Sequence, residues 1–207
     1  MFSLQHVNKQ FSEKFVLRDF SFQIAAGDKV NISGRSGIGK TTLFRLLLGF
    51  EKPDSGCISF ENEPLTDVLA WNVRRRVAYV SQDLNIGRGK VQAFFDDTLS
   101  LKVNLPHKHN SQPEIKQFLN QFELPESILD KNTEELSGGE KQRIAIINAL
   151  LLKRCIFFLD EVTSALDKSL KTKVIDYFLL NPDFTVLYIS HDNYFPAGIE
   201  LKTLKLG

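Results

Sequence analysis

The run Gly34-Arg35-Ser36-Gly37-Ile38-Gly39-Lys40-Thr41 sets a glycine, four further residues and then Gly-Lys-Thr in order, the pattern of a phosphate-binding loop. Such a loop dictates its surroundings. Its glycines turn backbone N–H groups inward around phosphate oxygens, so a strand must deliver the chain to it and a helix must leave it. Both flanks comply. Lys29-Val30-Asn31-Ile32-Ser33 reads as a short strand, and Thr42-Leu43-Phe44-Arg45-Leu46-Leu47-Leu48 as a helix stopped by Gly49 and Pro53. In that setting Lys40 would reach the β- and γ-phosphates of a nucleotide, and the Thr41 hydroxyl would hold Mg²⁺. A glycine-rich turn that binds nothing is the bland reading of the short pattern. The segments downstream weigh against it.

Two of them carry chemistry. Phe157-Phe158-Leu159-Asp160-Glu161 reads as a buried strand ending in two carboxylates, at the strand edge where open α/β sheets hold ligands. Asp160 would orient a Mg²⁺ shell and Glu161 would polarise an attacking water. As neighbours on a strand they would point to opposite faces and so serve metal and water separately. Ser137-Gly138-Gly139-Glu140 has the form of a capping box opening a helix that runs to about residue 152. Its glycines would leave backbone N–H groups bare beside the positive end of the helix dipole, which makes an anion site.

The remaining pattern is α/β. Phe2 and Leu4, then Phe20, Phe22 and Ile24, alternate as half-buried strands, whereas the apolar runs at 156–159 and 186–189 are unalternating, as in a parallel sheet covered on both faces. Between Gln82 and Leu136 the character changes, with glycines at 87 and 89, prolines at 106 and 113, and a helix-period set at Ile115, Phe118, Leu119 and Phe122. We read this as a mainly helical insertion, with a helix at about 112–122 opened by a capping box at Ser111-Gln112-Pro113-Glu114.

A chain of 207 residues with 26 basic and 25 acidic side chains fits one domain and has no global basic field to draw it to nucleic acid or anionic lipid. Arg74-Arg75-Arg76 is its tight basic cluster, read as a solvated entrance to the strand Val77-Ala78-Tyr79-Val80. Cys57 and Cys155 have no metal-ligand spacing and are expected as reduced thiols, Cys155 as a small buried hydrophobe opening the run at 156. No stretch approaches the ~20 apolar residues that span a bilayer, so a membrane role must come through a partner.

In this order the segments resemble the nucleotide-binding subunit of an ABC transporter, over essentially the whole length. The resemblance implies a P-loop NTPase parallel-sheet core with an antiparallel β subdomain and an inserted helical subdomain, divided as 1–82 and 153–207 for the core and 83–152 for the insertion. It makes Gln82, after Tyr79-Val80-Ser81, the Q-loop residue that touches Mg²⁺ or the water. It makes Ser164-Ala165-Leu166-Asp167 the D-loop at a dimer interface, and His191 the switch histidine that contacts the γ-phosphate and Glu161. Phe11 stands where an aromatic stacks on adenine.

The implied site is then Glu161, His191 and Gln82 for catalysis and Thr41, Gln82 and Asp160 for the metal. ATP would be held by Phe11, Gly34, Arg35, Ser36, Gly37, Ile38, Gly39, Lys40, Thr41 and Thr42. Ser137, Gly138 and Gly139 would close on the γ-phosphate from a second protomer packed head to tail, a second copy or a related subunit. A separate transmembrane permease, docked by the groove near Gln82, and a place on the cytoplasmic face of the membrane complete the expectation. No nucleic-acid partner is expected. With Gly207 soon after His191, no appended regulatory domain is expected either. Three positions depart from the family's usual residues: Glu140 for Gln, Val162 for Pro and Asn148 for Arg. None removes a catalytic group. The competing readings are a soluble ABC-type ATPase acting on nucleic acid or ribosomes, and a nonhydrolytic ATP-gated module. One cassette, no heptad array and almost no net charge stand against the first, and intact Glu161 and His191 against the second.

Overall fold

The computed structural model describes residues 1–12, 14–109, 111–190 and 194–206. Two sheets carry the fold. Strands β1 (Phe2–Phe11), β2 (Lys14–Ile24), β4 (Ser55–Phe60) and β5 (Glu63–Pro64) form an antiparallel sheet in the order β2-β1-β4-β5. Strands β3 (Lys29–Ser33), β6 (Val77–Val80), β7 (Ile156–Asp160), β8 (Thr185–Ile189) and β9 (Leu201–Lys205) form a parallel sheet in the order β6-β7-β8-β3-β9.

All five residues of β7 and of β8 are buried, which explains their unbroken apolar runs: a parallel strand covered on both faces has no polar face to show. Phe157 and Phe158 make the point. Phe157 packs its ring 5.0 Å from Phe178 and 4.7 Å from Phe184, while its neighbour Phe158 faces the other way, 4.9 Å from Phe44 and 5.9 Å from Phe2. The Phe158 side thus joins the parallel sheet to helix α1 (Lys40–Leu47) and the antiparallel sheet. The Phe157 side joins it to α6 (Lys168–Leu179) and to helices between β6 and β7. Those are α3 (Val91–Ser100), α4 (Ser111–Gln121) and α5 (Gly138–Leu151), the expected helical insertion.

Three local expectations are corrected. Arg74, Arg75 and Arg76 do lead into β6 at Val77, but as the last turn of helix α2 (Asp67–Arg76), and Arg74 and Arg76 are partnered rather than simply solvated. Arg74 donates to the Leu48 carbonyl at 2.9 Å and lies over the Phe50 and Trp71 rings, while Arg76 grips the Glu61 carboxylate with two nitrogens at 2.7 Å. Cys155 is exposed, because β7 begins at Ile156 and the thiol lies beyond the sheet edge. Ser111 is the first residue of α4 and not its cap, and its hydroxyl donates to the Lys108 carbonyl at 2.8 Å.

Candidate functional site

Because β3 lies inside a parallel sheet, the loop after Ser33 leaves from the same edge at which β7 ends in Asp160. That edge holds a cavity of about 370 Å³, walled by the loop residues Ser36, Gly37, Gly39, Lys40, Thr41 and Thr42. Phe11, Gln82, Asp160 and Glu161 line the same space. Four segments far apart in sequence therefore converge where the sequence reading put them together.

The loop is held open by its own geometry. Gly39 has φ +114, and a Cβ there would lie 1.9 Å from Cγ1 of Val16, so neither conformation nor space admits a side chain. Lys40 is buried, and its Nζ donates to the carbonyls of Gly34 at 2.9 Å and Arg35 at 3.3 Å. Those two carbonyls fix the ammonium at the loop centre, at the start of α1, where helix N–H groups and the dipole also favour anions. Gly34, Arg35 and Ile38 form the loop's frame and do not line the cavity. Phe11, at the end of β1, exposes 44% of its surface, with Lys9 Nζ 5.0 Å from its ring centroid.

The two carboxylates differ in setting. Asp160 is 2% exposed, accepts from the Thr41 hydroxyl at 2.8 Å and from the Tyr79 phenol at 3.5 Å. Burial pushes its carboxyl above the ordinary aspartate range, and the Thr41 hydrogen bond and the nearby Lys40 charge oppose that only in part. Burial and the charge of Asp160 push the Tyr79 phenol up to about 12. Glu161 lies past the strand, with φ +50 and its N–H donating to the Ile189 carbonyl at 3.0 Å. Its carboxylate accepts from Gln82 Nε2 at 3.0 Å. The expectation that strand alternation alone separates Asp160 from Glu161 is thus corrected: a left-handed turn at Glu161 does it. A non-glycine residue with positive φ stores strain of order 1 kcal/mol, a feature that concentrates at working sites.

Ser137, Gly138 and Gly139 are not among the residues that line the cavity. They open α5 as expected of a capping box: the Ser137 hydroxyl accepts from the Glu140 N–H at 3.2 Å, and the Glu140 carboxylate accepts from the Ser137 N–H at 2.8 Å. The glycines have a further reason in packing. A Cβ on Gly139 would lie 2.9 Å from the Ala165 carbonyl oxygen, so α5 sits against the turn that follows Glu161. Gln142 ties the same two segments, donating to Ser164 Oγ at 2.8 Å and accepting from the Ala165 N–H at 3.0 Å. His191 lies outside the described residues.

Sequence reading missed Lys14, Val16 and the clamp made by Gln142. Lys14 Nζ donates to the Gly37 carbonyl at 2.8 Å and lines the cavity. No motif marks Lys14 or Val16, but Gln142 is four residues after Gly138 and so lies on its helix face, a signal open to inspection.

Comparisons with known proteins agree with this geometry. Residues 17–164 match the family described as ABC transporter. The chain is 35% identical over 199 residues to the probable iron export ATP-binding protein FetA of Escherichia coli (strain K12), covering 93% of this chain and 85% of that one. It is 30% identical over 207 residues to the ergothioneine transport ATP-binding protein EgtV of Helicobacter pylori (strain G27), covering 99% and 96%. Among solved structures it is similar to the dimeric structure of MJ0796, a bacterial ABC transporter cassette, with TM-score 0.81, 25% identity, and 99% and 94% of the two chains covered.

Proposed function

The chain belongs to the ABC transporter family, and we propose that it works there as the ATP-hydrolysing subunit that drives a membrane permease carried on another polypeptide. The convergence of Lys40, Thr41, Gln82, Asp160 and Glu161 on one cavity carries the reading. No helix among the described residues is long and apolar enough to cross a membrane, so the membrane path would be the partner's. We place the protein on the cytoplasmic face of that membrane, and assign residues 1–82 and 153–207 to the core and 83–152 to the helical insertion.

In the proposed mechanism the loop N–H groups and Lys40 hold the ATP phosphates, and Phe11 offers a ring face to adenine. The oxygen set of Thr41, Asp160 and Gln82 suits Mg²⁺, a hard cation. No group of three or more His, Cys, Asp or Glu among the described residues could hold a metal by itself. That fits an ion that needs substrate phosphate oxygens to complete its shell. Bound there, Mg²⁺ would neutralise charge on the phosphate oxygens. Glu161, oriented by Gln82, would take the proton of the attacking water, assisted by His191. Ser137, Gly138 and Gly139 of a second protomer, packed head to tail, would complete the site, and loss of the bridging phosphate would let the pair open. The groove near Gln82 would receive a cytoplasmic segment of the permease.

The test is to retain Glu161→Gln protein with ATP in detergent-solubilised cells of its source and identify what stays bound. A stoichiometric multi-span membrane protein is expected. Recovery of ribosomal or nucleic-acid proteins alone would overturn the transport assignment and leave the hydrolytic one standing.

A further inference from the structure

A second cavity, of about 310 Å³, opens at the opposite edge of the parallel sheet. Its wall includes Ile156, the first residue of β7, while Asp160 at the other end of that strand lines the phosphate-loop cavity. About 13 Å of extended chain therefore separates the two. The volume falls in the range of small-molecule sites.

Its lining is electrically one-sided. Arg75, Arg76, His107, Lys153 and Arg154 contribute to it, and no acidic residue does. Two of these charges are already met: Arg76 by Glu61, and Lys153 by Glu114 at 2.8 Å. Two are not. The Arg75 side chain makes no hydrogen bond, ion pair or ring contact among the described residues. Arg154 spends one nitrogen on the carbonyls of Arg74 at 2.9 Å and Val77 at 2.6 Å and another on Asn104 Oδ1 at 3.3 Å, and has no carboxylate partner among the described residues. Burial pushes the Arg154 guanidinium below its ordinary value, and among the described residues this half-buried charge is met by dipoles alone. Val103, Leu152 and Ile156 add apolar wall, so the space is not suited to a bare hydrated ion alone.

We propose that this cavity binds a small organic phosphate, its dianionic head held by the Arg75 and Arg154 guanidiniums and its body against Val103, Leu152 and Ile156. Two guanidiniums with no carboxylate partner among the described residues match a phosphate dianion in charge, and their planar donor forks match its oxygens in shape. The site is independent of the nucleotide chemistry. Its walls come from the core, through Arg75 at the end of α2 and Ile156 at the start of β7, and from the helical insertion, through Val103 and His107, so an occupant would bridge them.

The test uses the whole chain saturated with a non-hydrolysable ATP analogue and Mg²⁺, which fills the phosphate loop. Glycerol 3-phosphate and inorganic phosphate are titrated by calorimetry at constant ionic strength, against wild type and Arg75→Glu, an exposed change that leaves the fold alone. Cys155 is exposed on the cavity wall and reports locally: in a Cys57→Ser background its rate of modification by an uncharged maleimide is followed in the same titration. Expected are saturable binding of glycerol 3-phosphate, tighter than inorganic phosphate, slowing of Cys155 modification several-fold, and loss of both by at least about tenfold in Arg75→Glu. Equal binding by Arg75→Glu, or no protection of Cys155, would overturn the site. Binding to phosphatidic acid vesicles without binding to the soluble probe would overturn the assignment to a soluble phosphate.

Discussion

Helices α1 and α5 both carry glycine at the N-terminus, as the cap of the first and as the opening residues of the second, and the two ends are built in opposite ways. The end of α1 is open: Gly39 caps it with no side-chain hydrogen bond, no acid lies in its first turn, and Lys40 is anchored beside it. The end of α5 is closed on itself: Ser137 and Glu140 satisfy each other's N–H groups, and a carboxylate already sits in the first turn. Gly39 is glycine because its backbone has positive φ and Val16 fills the space, whereas Gly139 has ordinary backbone and is glycine because Ala165 lies against it. The first end can therefore hold an anion by itself. The second carries less unmet positive potential than its glycines alone suggest, and would add its N–H groups only to a phosphate already held elsewhere.

The comparison can be broken most directly at α1. Lys40→Ala removes the buried cation anchored at the loop centre, and nucleotide affinity is expected to fall by roughly 100-fold or more, the cost of losing a charge-assisted partner of ~3 kcal/mol. Calorimetry with ATP checks it, and unchanged affinity would mean that the loop N–H groups suffice. Glu161→Gln should leave that affinity intact while lowering turnover by about 10²- to 10⁴-fold, since a general base is lost and the binding loop is not. Steady-state phosphate release and gel filtration with ATP measure both, the latter expecting a dimer. Wild-type turnover would remove Glu161 from the role of base.

The smaller effects belong to α5. Gly139→Ala puts a Cβ 2.9 Å from a backbone oxygen, which must move. The expected loss of stability is about 1–2 kcal/mol, the usual range for overpacking. Turnover should drop about tenfold while ATP affinity of the isolated chain is unchanged, because the displaced segment is not part of its own cavity. A fall in that affinity would show that α5 supports its own chain's loop.

The same contrast explains what could be read in advance. Strands β7 and β8 were legible because full burial writes itself as an unbroken apolar run, and the loop because phosphate binding needs glycines at fixed spacing, which in turn marked β3 as the strand that must deliver the chain to it. Helix α2 was not: only Ala70 and Val73 of its ten residues are buried, and Val68 and Trp71 are exposed, so it carries no apolar stripe. The turn at Glu161 was hidden since positive φ is signalled by glycine or asparagine and here falls on a glutamate held by the Ile189 carbonyl. Cys155 was misplaced because hydropathy cannot say where along an apolar run the sheet begins. Ser137 and Glu140 were legible as a capping box, but the steric role of Gly139 depends on a segment 26 residues away, at Ala165.

The mildest test of the closed end is its carboxylate. The hydrogen bond from the Ser137 N–H, followed by the contact with Lys131, holds Glu140 below the ordinary glutamate value of 4.5. A depressed acid contributes stability above its unfolded value, and that contribution is lost as pH falls through the folded one. The cap should therefore weaken only below about pH 4.5, and stay unchanged from there to neutrality. Glu140→Gln keeps a hydrogen-bond acceptor for the box and is expected to cost no more than ~0.5 kcal/mol at pH 7, while Glu140→Ala costs about 1 kcal/mol. Thermal unfolding from pH 3.5 to 7 separates the two. Glutamine should also flatten part of the acid-side slope, and a slope identical to wild type would mean that Glu140 closes α5 by geometry alone, leaving its charge no part in the difference between the two helix ends.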